Sequence, residues 1–302
     1  MSQWRVIDLA DFEGKLSYRR GGIVLTDLEG NEKGSLQLAD VCTILIGHGV
    51  TIGRSVLQQL CEYDVVLLPC NWRKVPLGTM SSWSTHTRVG ARHLAQSNLS
   101  LPRKKNAWGR IVSAKIAGQA STLEPFDPKQ AAILAQLSKD VRSGDPANLE
   151  AQAARMYWSR LFAGSGFSRN PDGEDNRNAL LNYGYTVMRG YAIKAIASAG
   201  LSPALGMFHR GRSNAFNLAD DLIEPFRPAL DATVSFMSES ASLEDKQVKH
   251  ALVAAADCVF SDSGRTVSSE LTALAQQFGR YVEGDIEKLP VPQWRGGFFE
   301  AW

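Results

Sequence analysis

Hydrophobic periodicity changes once along this chain, and that change bounds what it can fold into. Over residues 1–78 short β-branched or alternating runs recur, among them Arg5-Val6-Ile7-Asp8-Leu9, Gly22-Ile23-Val24-Leu25-Thr26, Cys42-Thr43-Ile44-Leu45-Ile46 and Val65-Val66-Leu67-Leu68. A two-residue period bounded by turn residues favours strands. Leu28-Glu29-Gly30-Asn31-Glu32 offers residues tolerant of positive φ and predicts a hairpin. A short amphipathic helix over 55–63, with Ser55 as N-cap, interrupts the strands. From about residue 80 onward strand signals fade and helical spacing takes over. The expectation is an α+β chain: a small β-rich domain over 1–79, a linker and first helix over 80–100, and an all-α domain over 101–302. His48, between Gly47 and Gly49, is expected at the surface.

Hydrophobic residues make up 44% of the 302, enough for a packed core and too many for a disordered chain. A formal net charge of +2 leaves no global polybasic character, so any nucleic-acid surface must come from local clusters. Four cysteines show no CxxC pairing, which predicts free thiols in a reducing compartment. No apolar run reaches the roughly eighteen residues of a membrane span, and no leader is evident, so a cytoplasmic protein is expected.

Local basic clusters do occur. Arg88, Arg92 and His93 lie on adjacent turns of the segment 87–97, and Arg103-Lys104-Lys105 precedes a helix expected over 108–123. With Arg110 and Lys115 at helical spacing, this pattern suits either a solvated face or a phosphate-facing stripe. Further on, Asp145 followed by Pro146 reads as an N-cap and first helical position. The helix it starts would run to about 162, with Glu150 near its positive end. Apolar residues on most of its circumference predict a buried helix. A long helix over 178–199 should be central, and shorter ones are expected over 229–239, 243–255 and 265–283. The aromatic tail 294–302 has no usable period.

The richest chemistry lies in residues 209–228, HRGRSNAFNLADDLIEPFRP. A helix over 215–223 would put Asp221 and Glu224 on one face and turn Asp220 away. Such acids are costly beside apolar residues unless something positive holds them. A divalent cation with His209 as a third ligand would do so, and oxygen-rich sites with one imidazole suit Mg2+ or Mn2+. A solvated acidic face is the plainer alternative. Pro225 and Pro228 put the acids beside a forced bend. Arg227 suits either an ion pair with these acids or a phosphate contact, and Arg210 and Arg212 join Arg88, Arg103, Lys104 and Lys105 as DNA-binding candidates.

Three segments occur in order: Glu150-Ala151-Gln152-Ala153-Ala154-Arg155-Met156-Tyr157-Trp158, then Leu181-Asn182-Tyr183-Gly184-Tyr185, then the stretch ending Asp221-Leu222-Ile223-Glu224-Pro225-Phe226-Arg227-Pro228. Together with Lys115-Ile116 and Gln119-Ala120 they resemble the CRISPR-associated integrase family, the large catalytic subunit of the spacer-acquisition machinery, and within it the type II subfamily. The resemblance implies a β-rich domain on the dimerisation and partner side, followed by an all-α catalytic domain. It implies metal ligands at Glu150, His209 and Glu224, with Asp221 as an accessory acid and Mg2+ or Mn2+ as cofactor. It implies a homodimer that bridges a small ferredoxin-like partner in a heterohexamer, alongside other type II adaptation proteins, with no membrane involved. The implied reaction inserts a protospacer duplex into a CRISPR array by 3′-hydroxyl attack on repeat phosphodiesters. A stand-alone nuclease on branched or single-stranded DNA is the alternative. The family's paired histidine is absent, because Phe208 precedes His209.

Overall fold

The structure is a computed structural model that describes residues 5–71, 76–82, 86–173, 175–262 and 264–296. The chain divides into two compact units, residues 1–85 and 86–302. The first holds the strands β1 (Arg5–Leu9), β2 (Gly14–Arg19), β3 (Gly22–Thr26), β4 (Glu32–Gln37), β5 (Val41–Ile46), β6 (Val50–Ile52) and β7 (Val66–Pro69), with one α-helix, α1 (Arg54–Glu62). They form a parallel sheet in the order β1-β5-β7 and a mixed sheet in the order β4-β3-β2-β6. β5 is the middle strand of the first sheet and is buried along its whole length. This is why it reads as a continuous apolar run rather than an alternating one. Leu16, Ile23, Ile44, Val56, Leu60 and Leu67 meet in the core. Gly30 takes φ +89° in the β3–β4 hairpin, and His48 is exposed. The N-cap of α1 is Gly53 rather than Ser55, and no side chain caps it.

The second unit is helical: α2 (Val89–Ser97), α3 (Leu101–Leu123), α4 (Pro128–Asp140), α5 (Leu149–Leu161), α6 (Asn176–Ser198), α7 (Asn217–Ile223), α8 (Arg227–Ser235), α9 (Lys246–Ala254) and α10 (Val267–Glu283). The chain is therefore α+β, as expected. Several local expectations change. α3 begins at Leu101, with Pro102 in its first turn, so the basic cluster lies inside the helix rather than ahead of it. α4 has no counterpart in the sequence reading, although Asp127 caps it through Gln130 N at 3.1 Å and Pro128 opens it. Pro146 stays outside α5. That helix buries Ala153, Tyr157 and Leu161, a single stripe at four-residue spacing rather than most of its circumference. The acidic α-helix ends at Ile223, as expected of a segment followed by Pro225. That proline sits in a 3-10 turn, Glu224–Phe226, that hands the chain to α8. Trp294 is buried against Phe260, with ring centroids 5.6 Å apart, whereas the aromatic tail over 297–302 lies outside the described residues.

α6 is the central helix of this unit, buried on most sides from Asn178 to Ile196 and packed against α7, α8, α9 and α10. Gly184 sets its approach to α8: a Cβ there would lie 2.4 Å from Leu230 Cδ2. Gly184→Ala is expected to lower stability by about 1–3 kcal/mol through overpacking, read as a lower midpoint in urea unfolding at unchanged slope.

Candidate active site

α3 runs beside the 3-10 turn and α8, and one face of it meets that bend. Thr122 Oγ1 donates to Pro228 O at 2.9 Å, and a Cβ on Gly118 would lie 3.0 Å from Pro228 Cγ. One turn earlier on this face stands Lys115. Its Nζ lies 2.6 Å from Glu150 Oε1 and 2.6 Å from Glu224 Oε2. Only 15% of the lysine side chain and 5% of the Glu224 side chain are exposed. Glu224 Oε1 pairs with Arg227 at 2.9 Å, three residues on. Burial pushes Glu224 up, but Arg227 and Lys115 outweigh it and hold the carboxyl below the usual range. Burial likewise disfavours the Lys115 ammonium, yet Glu224 and Glu150 raise its pKa overall. The sequence reading placed Lys115 on a basic stripe, and the structure turns it inward. Its signal was a lone cation among Ile111, Val112, Ala114 and Ile116.

Glu150 reaches this point from the first turn of α5. The N-cap there is Asn148, in the left-handed region at φ 51°. Asp145 still caps the helix from outside: its carboxylate accepts from Leu149 N and Glu150 N, both at 2.9 Å. The orphan amides and the helix dipole thus hold one acid at the helix end and present another.

His209 arrives on the loop between α6 and α7, and two buried polar residues shape that loop. Gln96 of α2 accepts from Ser202 N at 3.0 Å and donates to Ser202 O and Leu205 O at 2.8 and 2.7 Å. Asn217 accepts from Gly211 N at 3.1 Å and donates to Gly211 O and Asn214 O at 3.1 and 3.0 Å. Neither was picked out from the sequence.

Asp221 occupies a different place from the one expected of an accessory acid. It is fully buried. It accepts from the amides of Met207, Phe208 and His209 and from His209 Nδ1, the last at 2.7 Å. With Nδ1 donating to a carboxylate, the lone pair sits on His209 Nε2. The bond to Asp221 raises the imidazole pKa above 6.5 against the opposing effect of burial. Glu224 also acts on His209 through space. Asp220 turns away, as expected, and pairs with Arg189 at 2.7 Å. Phe208 lies flat on buried Trp108, with centroids 4.2 Å apart and planes 2° apart, and Trp108 also meets the His209 ring edge-on at 5.9 Å.

A second buried network adjoins the first. Tyr157 Oη donates to Asp231 Oδ2 at 3.1 Å and Tyr185 Oη donates to Asp231 Oδ1. Burial pushes the Asp231 carboxyl up to about 6. Arg227 lies over the Tyr185 ring at 4.5 Å and so joins the two networks.

Among the described residues no three imidazole, thiolate or carboxylate groups converge on one point as metal ligands. Glu150 and Glu224 do converge, on Lys115, while His209 is held by Asp221. The donor chemistry fits a divalent cation: two carboxylates already share one positive charge, and an imidazole nitrogen is left free. Glu224 Oε2 is buried without a hydrogen bond of proper geometry, its lysine contact being an ion pair by distance only. Of the basic candidates, Arg88 pairs with Glu283 at 2.7 Å. Arg103 stacks over Tyr281 at 4.1 Å and donates to Ile286 O at 3.1 Å, so it is spent inside the fold. Lys105, Arg210 and Arg212 are exposed, and Lys104 is half-buried.

A family model described as "CRISPR associated protein Cas1" matches residues 9–271. A curated relative, "CRISPR-associated endonuclease Cas1" of Neisseria meningitidis serogroup C (strain 8013), is 38% identical over 80% of this chain and 78% of its own length. In fold the chain is similar to a solved "Casposase bound to integration product", with a TM-score of 0.72 at 20% identity, covering 94% of this chain and 91% of that one. It is also similar to a chain of a "Cas6-RT-Cas1--Cas2 complex", with a TM-score of 0.75 at 16% identity, covering 97% of this chain and 36% of that one. With the family model spanning both the β-rich and the helical unit, the chain belongs to the CRISPR-associated Cas1 family.

Proposed function

We propose that the chain is a metal-dependent DNA integrase and endonuclease, which inserts short foreign duplexes into a CRISPR array. The observation that carries this reading is the pair Glu150 and Glu224 closed on one cation beside a histidine with Nε2 free. Its relative in Neisseria is named an endonuclease, and two of its structural neighbours are named for an integration product and for a Cas1–Cas2 assembly. Those names support DNA as substrate and a Cas2-like subunit as partner. A ferredoxin-like partner bridged by dimers, with the β-rich unit on the dimer and partner side, completes the proposal.

Glu150, Glu224 and His209 Nε2 would hold Mg2+ or Mn2+. The ion, when bound, supplies Lewis-acid polarisation of the scissile phosphate and charge neutralisation. In the reaction a DNA 3′-hydroxyl attacks a repeat phosphodiester: a new P–O bond forms, the old P–O bond breaks, and the leaving 3′ oxygen takes a proton. Hydrolysis is the same displacement with water attacking. Placement therefore matters more than covalent participation by the protein. Asp221 orients the imidazole and fixes the backbone that carries it. Arg227 keeps Glu224 ionised. Arg210 and Arg212, exposed and close in sequence to His209, would meet backbone phosphate.

The reading is tested by joining a short labelled duplex to a supercoiled repeat-bearing plasmid with Mg2+ or Mn2+, with and without the small partner. Partner-dependent joining is expected, reduced about 10²-fold or more by Glu150→Ala or His209→Ala. Cleavage without joining, indifferent to the partner, would favour the stand-alone nuclease. Full joining by either variant would remove the site from the chemistry.

The pH dependence has a definite sign. A protonated imidazole offers no lone pair, and Asp221 keeps the proton on His209 to a higher pH than an unperturbed histidine. At a fixed, subsaturating metal concentration the joining rate is expected to rise with pH as the imidazole loses its proton, along a limb that Asp221 holds at higher pH than it would otherwise take. In Asp221→Asn the midpoint should move to lower pH whatever the residual rate, and a limb that stays in place would dissociate it from His209.

A further inference from the structure

We propose that Lys115 is a built-in counter-cation, whose ammonium holds Glu150 and Glu224 together in the metal-free protein and must leave the gap between them before a divalent ion can enter. The proposal rests on the reading that these carboxylates take a metal, and it assigns the lysine a positioning role.

The geometry is that of a shared site. One nitrogen touches both acids at 2.6 Å, and all three side chains are largely withdrawn from water, with 15%, 23% and 5% exposed for Lys115, Glu150 and Glu224. A divalent ion such as Mg2+ binds its oxygens at about 2.0–2.1 Å, closer than the ammonium stands to them. Both carboxylates would hold it, and the ammonium now occupies the gap between them. Charge leads to the same exclusion. Two carboxylates are balanced here by Lys115 and Arg227. Adding a dication while the ammonium stays would leave two excess positive charges in a poorly hydrated space, where like charges repel far more strongly than in water. Removing the lysine without supplying a metal would leave two carboxylates facing each other, which is also costly.

The helix that carries Lys115 is not free to move with it. Gly118 and Thr122, one and two turns along the same face, lock α3 against Pro228. Exchange therefore takes place by rotation of the flexible four-carbon stem. A displaced ammonium stays tethered within a side-chain length of the acids, where an incoming phosphate would need a positive charge. Metal entry and lysine release become one event.

The test is binding of Mn2+ to the full-length protein without DNA, read as free Mn2+ by electron paramagnetic resonance, with melting temperatures in EDTA and in Mn2+. Lys115→Met keeps the stem and removes the charge. It is expected to melt lower than wild type in EDTA, to bind Mn2+ about tenfold tighter or more, and to gain more in melting temperature from Mn2+ than wild type does. Lys115→Arg, which keeps a cation, should bind no tighter than wild type. Where Lys115→Met does not fold, Lys115→Gln carries the same expectation with its hydrogen-bond donors retained. A lysine with a structural role alone would lower melting equally in EDTA and in Mn2+, and that result overturns the proposal. Equal Mn2+ affinity in wild type and the neutral variants overturns it too, while leaving the metal site standing. If neither wild type nor variants bind Mn2+, the metal reading itself fails and this inference falls with it.

Discussion

Taking carboxylates out of water is the constraint around which the helical unit is arranged. An isolated ionised carboxylate in a dry interior costs tens of kcal/mol by solvation alone, so each acid here has its own compensation. Asp221 is met by three backbone amides and an imidazole. Glu224 is met by an ammonium and a guanidinium. Asp231 is met by two phenols and drifts toward neutrality. Glu150 shares the ammonium and sits at a helix end already capped by Asp145. These partners come from α3, α5, α6, α8 and the loop ahead of α7. The acids therefore tie those helices to one another through named polar contacts.

That arrangement divides labour among residues of the same chemical type. Asp221 and Glu224 are three apart and belong to one short acidic run, yet one organises a loop and the other faces a cation. Arg227 and Lys115 both neutralise Glu224. The arginine, a planar cation stacked on Tyr185 and paired with Glu224, is suited to staying. The lysine, a point charge on a flexible stem, is suited to leaving.

The sequence made the broad architecture legible, because a two-residue period and a helical period leave different marks. The ordered segments single out Glu150, His209 and Glu224, and the structure closes the two glutamates on Lys115 while Asp221 holds His209. What the sequence could not display was pairing across elements. Lys115 looked like part of a basic stripe because Arg103, Lys104, Lys105 and Arg110 share its helix, and only the neighbouring bend shows that it points inward. Asp221 looked like a further acid of the site because spacing reports faces and not the amides those faces meet. Gln96 and Asn217 carried no signal, since a buried amide is recognised only by what it bonds. Asp127-Pro128 and Asp145-Pro146 are the same residue pair, yet only the first opens its helix directly, because Asp145 caps α5 from three residues outside Asn148.

The 3-10 turn over Glu224–Phe226 bears on how this segment can vary. A 3-10 turn advances about 120° per residue where an α-helix advances about 100°. The passage from α7 through the turn into α8 thus sets a phase between Asp221, which faces the loop of His209, and Glu224 and Asp231, which face α3, α5 and α6. One residue inserted or deleted between Asp221 and Glu224 would rotate everything downstream by about a third of a circle. Glu224 would lose Lys115, and Asp231 would lose its phenols. Across relatives this segment should accept changes of side chain far more readily than changes of length.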